Sequence, residues 1–348
     1  MPTITPGQKV LVTGANGFIA VWVVKTFLEK GYSVRGTVRS ESKAQHIKKL
    51  FESYGDKFEV VIVPDITAPG AFDAAVEGVD AVAHTASPFH LAADDPKDML
   101  DPAVKGTTGV LESVHKDGNS KVKRVVILAS STCIANLTDT GELDENVWNE
   151  SSVKAIQEKG REAAQTDKYC AAKTLAEKAA WEFVEKHKSE LKWDIVTIQP
   201  PYVFGPLLHE ISSPDTLNTS MKFWWDAVVG HLFPPEMALN GSQSWIDVRD
   251  VAIAHVRALE IEEAGGKRFP FTAGTFLWQD LYDASNAAES GIAPVGTPGA
   301  GKTYKHNQIF VTKQAEEILG MKWTDLNTTC KDIINDFKTK KWIPVAKA

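Results

Sequence analysis

Little in this chain supports a disulfide-stapled, metal-bound or membrane-spanning protein. Three cysteines occur in 348 residues, Cys133, Cys170 and Cys330. They are far apart, with no CxxC or other metal-ligand spacing, and read as core or near-surface thiols in a reducing cytosol. No run approaches the ~18 apolar residues of a membrane span. Residues 1–8 carry no basic stretch leading into an apolar one, so the expectation is a cytoplasmic protein without a membrane partner. The sequons at Asn136 and Asn218 therefore carry no weight. Positive charge is in deficit too: 38 Lys and Arg against 45 Asp and Glu give a net charge of −7. That balance excludes a general nucleic-acid binder, while leaving room for a local phosphate-holding cluster. Tandem repeats and low-complexity tracts are missing. With 43 % hydrophobic and 24 % charged residues, the composition is that of an ordinary globular protein. The length implies one large domain with a smaller one appended.

The first two hundred residues alternate apolar strands (9–13, 32–38, 58–63, 81–84, 124–129) with helical patterns (17–30, 41–54, 71–76, 104–116). This rhythm predicts a parallel sheet covered on both faces, an α/β Rossmann-type doubly wound fold. Residues 131–167 break the rhythm and read as a long polar loop, usually functional or mobile. A helix over 168–188 and a strand over 194–199 follow, ended by Pro200-Pro201. After Gly205 prolines and the cluster Phe223-Trp224-Trp225 mark a second, substrate-binding region. Residues 245–252 read as a strand and helix returning to the first domain. The expected division is 1–200 with 243–275 for the nucleotide-binding domain, and 201–242 with 276–348 for the smaller region. Residues 294–301 form a Gly/Pro-rich turn region, and 314–338 read as helical and peripheral.

Gly14-x-x-Gly17-x-x-Ala20 lies between the first strand and helix. Gly14 permits a tight turn, and Gly17 lets the backbone approach a pyrophosphate seated on the positive helix N-terminus. Ala20 is small enough for helix–strand packing. A lone glycine pattern is weak, and the strand–turn–helix context strengthens it. The end of the second strand lacks the acid that reads the ribose 2′-hydroxyl of NAD. It offers Arg35, Arg39 and then Lys43, cations suited to a 2′-phosphate, so NADPH/NADP+ is the expected cofactor. Asp65 follows the third strand, where a side chain meets the adenine. His84 ends the fourth strand near the expected crevice; taken alone it reads as a core or turn histidine.

Tyr169 and Lys173 are four residues apart on one helical face. A tyrosine with a pKa near 10 is a poor proton donor at neutral pH. A nearby ammonium favours the phenolate and brings it into the range of general acid catalysis. Ser131, at the end of the fifth strand, stands where a hydroxyl steadies charge developing on a carbonyl oxygen. YxxxK alone occurs by chance; the order of glycine turn, serine pair and YxxxK does not arise easily.

This order resembles the extended short-chain dehydrogenase/reductase family over essentially the whole chain. The resemblance is closest to its dihydroflavonol-reductase-like branch and the fungal NADPH-dependent methylglyoxal and aldehyde/ketone reductases. It is carried by Gly14-Ala-Asn-Gly-Phe-Ile-Ala20, His84-Thr-Ala-Ser-Pro88, Ser130-Ser131, Tyr169-Cys-Ala-Ala-Lys173, Tyr202-Val-Phe-Gly-Pro206, Leu217-Asn-Thr-Ser220 and Ile246-Asp-Val-Arg-Asp-Val-Ala252. The resemblance implies that Ser131 polarises a carbonyl, Tyr169 donates the proton, and Lys173 tunes the tyrosine and holds the nicotinamide ribose. It implies a cofactor lying against Gly14, Asn16, Gly17, Phe18, Ile19, Arg39, Lys43, Asp65, Ile66, Thr85, Ala86, Ser87, Tyr169, Lys173, Pro201, Val203 and Ser220. Asn136 falls where plant members have a substrate-contacting asparagine; a plain loop role is an equal reading. Trp224 and Trp225 are either an aromatic pocket wall or part of a packed helix.

The expected activity is NADPH-dependent reduction of a small-molecule aldehyde or ketone (2-oxoaldehyde, aromatic or keto-ester type). Two alternatives remain: an NAD-dependent sugar-nucleotide epimerase or dehydratase, and a non-catalytic NADP-sensing regulator.

Overall fold

Residues 9–13 are short, apolar and buried on both sides, and they sit mid-sheet. The computed structural model describes residues 3–87, 93–118, 120–136 and 138–343; Pro88 of the sequence motif lies outside them. The first half comprises β1 (Lys9–Thr13), α1 (Phe18–Glu29), β2 (Ser33–Val38), α2 (Glu41–Leu50), β3 (Phe58–Ile62), α3 (Asp73–Val76), β4 (Ala81–His84), α4 (Lys97–Lys116) and β5 (Arg124–Leu128). Next come β6 (Gly141–Leu143), α5 (Glu150–Lys159), α6 (Gln165–Lys186), β7 (Asp194–Gln199) and β8 (Tyr202–Phe204). The remainder is α7 (Thr219–Val228), α8 (Pro235–Leu239), β9 (Gln243–Asp247), α9 (Val248–Glu260), β10 (Arg268–Pro270), β11 (Gly274–Phe276), α10 (Trp278–Ala288), β12 (Gln308–Phe310), α11 (Lys313–Leu319) and α12 (Leu326–Thr339).

Seven strands form one sheet in the order β10-β7-β5-β4-β1-β2-β3, with every pairing parallel. Successive strand residues feed opposite faces. Val10, Val12 and Val126 enter the core shared with α1 and α9, whereas Leu11, Val125 and Ile127 enter the one shared with α4. Burial on both faces explains why these strands read as apolar runs rather than alternating ones. In α1, Val21, Val24, Phe27 and Leu28 are buried, each worth ~1.5–3 kcal/mol relative to exposure. Strand order reverses between β1 and β4, which opens a crevice at their carboxyl ends.

Several elements depart from the sequence reading. The polar stretch 131–167 is not a bare loop: it holds β6, which pairs with β12, and α5, capped by the Asn149 side chain. Only Ser152, Val153 and Ile156 of α5 are buried, a stripe too narrow to stand out as a period. Helix α4 starts at Lys97, ahead of the expected 104, and carries Pro102 inside. The return of the chain is divided. β9 joins a separate small sheet, β11-β9-β8, while α9 packs on α1 and β10 completes the main sheet. The C-terminal helix is not peripheral, because Cys330, Ile333, Ile334 and Phe337 of α12 are buried.

Candidate active site

The β1–α1 turn is shaped for close approach. Gly14 has φ +65°, and a Cβ there would meet the Ala86 Cα and Cβ at 3.1 Å. Its amide donates to Thr37 Oγ1 at 3.1 Å, and that of Ala15 to the Thr37 carbonyl at 2.8 Å. A Cβ on Gly36 would come within 2.8 Å of the Ala15 Cβ, so β2 also contributes a glycine to the turn. The first bond into the helix runs from the Val21 amide to the Gly17 carbonyl. The amides of Phe18, Ile19 and Ala20 precede it and face the turn, a ready anion cradle. Asn16 is partly buried and Gly17 exposed on its rim.

At the end of β2 the three cations separate. Arg35 is committed elsewhere, pairing with Glu59 at 2.8 Å and donating to the carbonyls of Ala75 and Glu77. Lys43 lies 3.4 Å from the Glu210 carboxylate. Arg39 is exposed and has no ion pair among the described residues. An exposed, unpaired guanidinium there suits a phosphate, so the turn and its rim fit a dinucleotide carrying a 2′-phosphate. Asp65 accepts from the amide and hydroxyl of Thr67 at 2.8 and 2.7 Å, and these bonds hold its carboxyl below the ordinary range. Ile66 packs against the core on the α4 side.

Beyond β4, the Thr85 and Ala86 amides both donate to Thr13 Oγ1 at 3.0 Å, fixing the strand end beside the glycine turn. Lys173 Nζ donates to Ser87 Oγ at 2.8 Å. Helix α6 thus reaches across the crevice to β4. On the far side, Val203 is buried and its amide donates to Ser220 Oγ at 3.4 Å; Pro201 is partly buried beside it.

The serine pair forms a tight turn after β5. Ser131 is 8 % exposed, and its amide donates to the Pro200 carbonyl at 3.0 Å. The Thr132 carbonyl accepts from Asn149 Nδ2 at 2.8 Å and Thr174 Oγ1 at 3.3 Å, which pins this turn to α6. Tyr169 is partly buried, and the serine hydroxyl that hydrogen-bonds it is that of Ser130. Burial pushes the Tyr169 phenol up, the Cys133 and Cys170 thiols add to this, and the Ser130 hydrogen bond opposes it. Burial also holds the Lys173 ammonium below its ordinary value. The four-residue spacing puts both side chains on one face, yet the Lys173 head group is directed to Ser87.

Two readings left open by the sequence are narrowed by the contacts. Asn136 is consumed by its own loop: Oδ1 accepts from the Thr138 amide and hydroxyl and the Asp139 amide, and Nδ2 donates to Ser151. Trp224 is fully buried, and with Trp225 it packs on Phe337, so this pair belongs to the α7–α12 core. An aromatic group is centred instead on Tyr202, which adds to the rise of the Tyr169 phenol and contacts Phe223, Phe276 and Trp278 at 5.8–6.3 Å. The sequence reading also missed Glu177, one turn beyond Lys173. Its signal was an acid on the inward face of an alanine-rich helix.

A family model described as the NAD dependent epimerase/dehydratase family matches residues 10–274. The chain belongs to this family. One similar protein is the NADPH-dependent methylglyoxal reductase GRE2 of Saccharomyces cerevisiae, 35 % identical over 340 residues, covering 93 % of this chain and 96 % of the relative. The ketoreductase azaE of Aspergillus niger is 37 % identical over 334 residues, covering 94 % and 96 %. The solved structure of the yeast methylglyoxal/isovaleraldehyde reductase Gre2 complexed with NADPH superposes with a TM-score of 0.86 at 33 % identity, covering 96 % of this chain and 100 % of that one.

Proposed function

We propose that this member of the epimerase/dehydratase family is an NADPH-dependent reductase of small aldehydes or ketones, of the 2-oxoaldehyde, aromatic or keto-ester type. The observation that supports it best is that Ser130 hydrogen-bonds Tyr169 while Lys173, one turn on, reaches Ser87 at the β4 end beside the glycine turn. The reductases among its relatives support the same reading.

The glycine turn and the first amides of α1 hold the pyrophosphate, with Asn16, Phe18 and Ile19 on its rim. Arg39 and Lys43 hold the 2′-phosphate, Asp65 and Ile66 flank the adenine, and Thr85, Ala86, Ser87, Pro201, Val203 and Ser220 border the nicotinamide half. NADPH, when bound, supplies the hydride. Tyr169 gives its hydroxyl proton to the substrate oxygen. Ser131 donates to that oxygen as charge develops, which stabilises the transition state more than the ground state. Lys173 leaves Ser87 in part to meet the nicotinamide ribose, and its charge lowers the cost of the Tyr169 phenolate. The aromatic group around Tyr202 excludes water and favours substrates with an apolar side.

The epimerase alternative is disfavoured, since a sugar nucleotide needs a polar, cationic pocket. The retained Ser131, Tyr169 and Lys173 disfavour the sensor. Three buried, unpaired cysteines support the cytoplasmic assignment. The test is NADPH against NADH oxidation across a panel of 2-oxoaldehydes, aromatic aldehydes and β-keto esters. NADPH-linked turnover establishes the reductase; NADPH binding with no turnover on any carbonyl overturns it.

A further inference from the structure

His84 ends β4 with its ring 2 % exposed, and its hydrogen bonding fixes which nitrogen carries the proton. Thr13 Oγ1 accepts from two backbone amides, those of Thr85 and Ala86, each at 3.0 Å. Both lone pairs are then used. The Thr13 hydroxyl proton must go to His84 Nδ1, 3.0 Å away. A neutral imidazole that accepts at Nδ1 carries its own proton on Nε2. Burial first and the Lys173 charge second hold this ring neutral, with a pKa lowered to about 3. Nε2 is buried and has no hydrogen-bond partner among the described residues. The nearby Phe72 ring, 6.0 Å away in a T-shaped arrangement, has no lone pair to accept this proton.

A cavity with about 20 Å³ open to the centre of a water molecule adjoins this ring, lined by His84 and Ser87 from the β4 end, Thr107 from α4, and Lys173 and Glu177 from α6. One water needs ~10–15 Å³ by this measure and two or more polar partners. The lining residues include two whose side chains donate, His84 and Lys173, and two whose side chains accept, Thr107 and Glu177.

We infer that a single structural water is built into this cavity between His84 Nε2 and Lys173 Nζ, and that His84, through it, is a positioning residue for Lys173. The water adds a hydrogen-bond partner to an ammonium whose charge burial disfavours. It thereby keeps Lys173 charged and aimed at Tyr169 and the cofactor. The titratable groups facing the site are His84 from β4, Lys173 and Glu177 from α6, and the Cys133 thiol from the serine turn; α4 and β5 contribute none to its lining. This role rests on the reductase reading; the water itself does not.

Two measurements test it. A high-resolution crystal structure of the protein with NADPH bound is expected to show one water within hydrogen-bond distance of both His84 Nε2 and Lys173 Nζ. A dry cavity, or Nε2 bonded to a protein atom, overturns the inference whether or not the enzyme turns over. The second is the pH profile of alcohol oxidation with NADP+, which needs Tyr169 as phenolate. His84→Asn keeps a group facing Thr13 but removes the Nε2 donor. It is expected to raise the apparent pKa by about one unit and lower kcat about tenfold, a larger effect than on NADP+ affinity. His84→Gln, whose amide N–H reaches the place of Nε2, is expected to recover most of both. A merely structural histidine would lower Tm in both variants and leave the pKa in place, and that result rejects the positioning role. A wild-type protein that turns over neither carbonyls nor alcohols defeats the reductase reading and leaves the crystallographic water to decide the site.

Discussion

Lys173 Nζ donates to Ser87 Oγ at 2.8 Å, and this bond ties α6 to the end of β4 across the crevice. The lysine is therefore placed by the sheet as well as by its helix. Tyr169, one turn earlier, is reached by the Ser130 hydroxyl. Ser130 Oγ already accepts from the Thr132 amide and hydroxyl, at 3.2 and 2.9 Å, so its own proton is the one offered to Tyr169.

Removing the Tyr169 hydroxyl tests the chemistry directly. Tyr169→Phe is expected to lower kcat for carbonyl reduction by about 10²–10⁴, with NADPH affinity and Tm nearly unchanged. Stopped-flow turnover with a fluorescence titration of NADPH checks both halves. Wild-type turnover in this variant would remove Tyr169 from the mechanism.

Cofactor choice should rest on Arg39 more than on Lys43. Arg39 is exposed and unpaired among the described residues, whereas Lys43 faces Glu210 at 3.4 Å. A charge-assisted contact is worth ~1.5–3 kcal/mol, so Arg39→Ala is expected to weaken NADPH about 10–100-fold and to leave NADH alone. Glu210→Gln is expected to tighten NADPH slightly by releasing Lys43. Titrations of both cofactors at two salt concentrations decide this, because a phosphate contact fades with ionic strength.

The central sheet was legible because its strands are buried on both faces and its helices carry apolar stripes. The glycine turn was legible because Gly14 and Gly17 sit between a strand and a helix. What escaped was set by tertiary contacts. Gly36 matters only because Ala15 lies against it, and nothing local to β2 announces that. Helix α5 escaped because its buried stripe is narrow. Asn136 and Trp224 were ambiguous for a related reason: an amide turns inward or outward, and a tryptophan packs on α12 or lines a pocket, according to loops and helix docking that no local period encodes.

Acid should destabilise the protein through neutral histidines held by burial, His84 and His255 among them. The His84 pKa is lowered to about 3 and that of His255 to about 4, chiefly by burial. His255 uses Nδ1 on the Val251 carbonyl at 2.8 Å, and its buried Nε2 has no acceptor to receive a second proton. Unfolded histidines titrate near 6.5. Between that value and the folded values the unfolded chain binds more protons, so stability is full above pH 6.5 and is lost as pH falls. The expected loss from pH 7 to pH 5 is on the order of 1–2 kcal/mol per histidine. Urea unfolding at the two pH values checks it, and His255→Gln is expected to remove its own share of the difference and leave that of His84.

Glu177 and Arg268 form the polar joint behind the site. Glu177 Oε1 accepts from Thr197 Oγ1 at 2.7 Å, Gln199 Nε2 at 2.7 Å and Arg268 Nε at 2.8 Å, which locks α6 to β7 and β10. Arg268 also donates to the Glu145 and Val147 carbonyls at 2.6 and 2.9 Å and stacks 3.5 Å over the Trp148 ring. The same guanidinium therefore holds the segment leading to Asn149, which in turn holds the Thr132 carbonyl. Glu177→Leu leaves Arg268 buried and unpaired, and an uncompensated buried charge costs ~3–5 kcal/mol. Glu177→Leu combined with Arg268→Met removes both charges and is expected to be more stable than the single variant. It should still have impaired turnover, because the 145–149 segment loses its anchor. Denaturant midpoints set the order wild type, double, single. A single variant within about 1 kcal/mol of wild type would show that Thr197, Gln199 and backbone packing hold α6 without the charge pair.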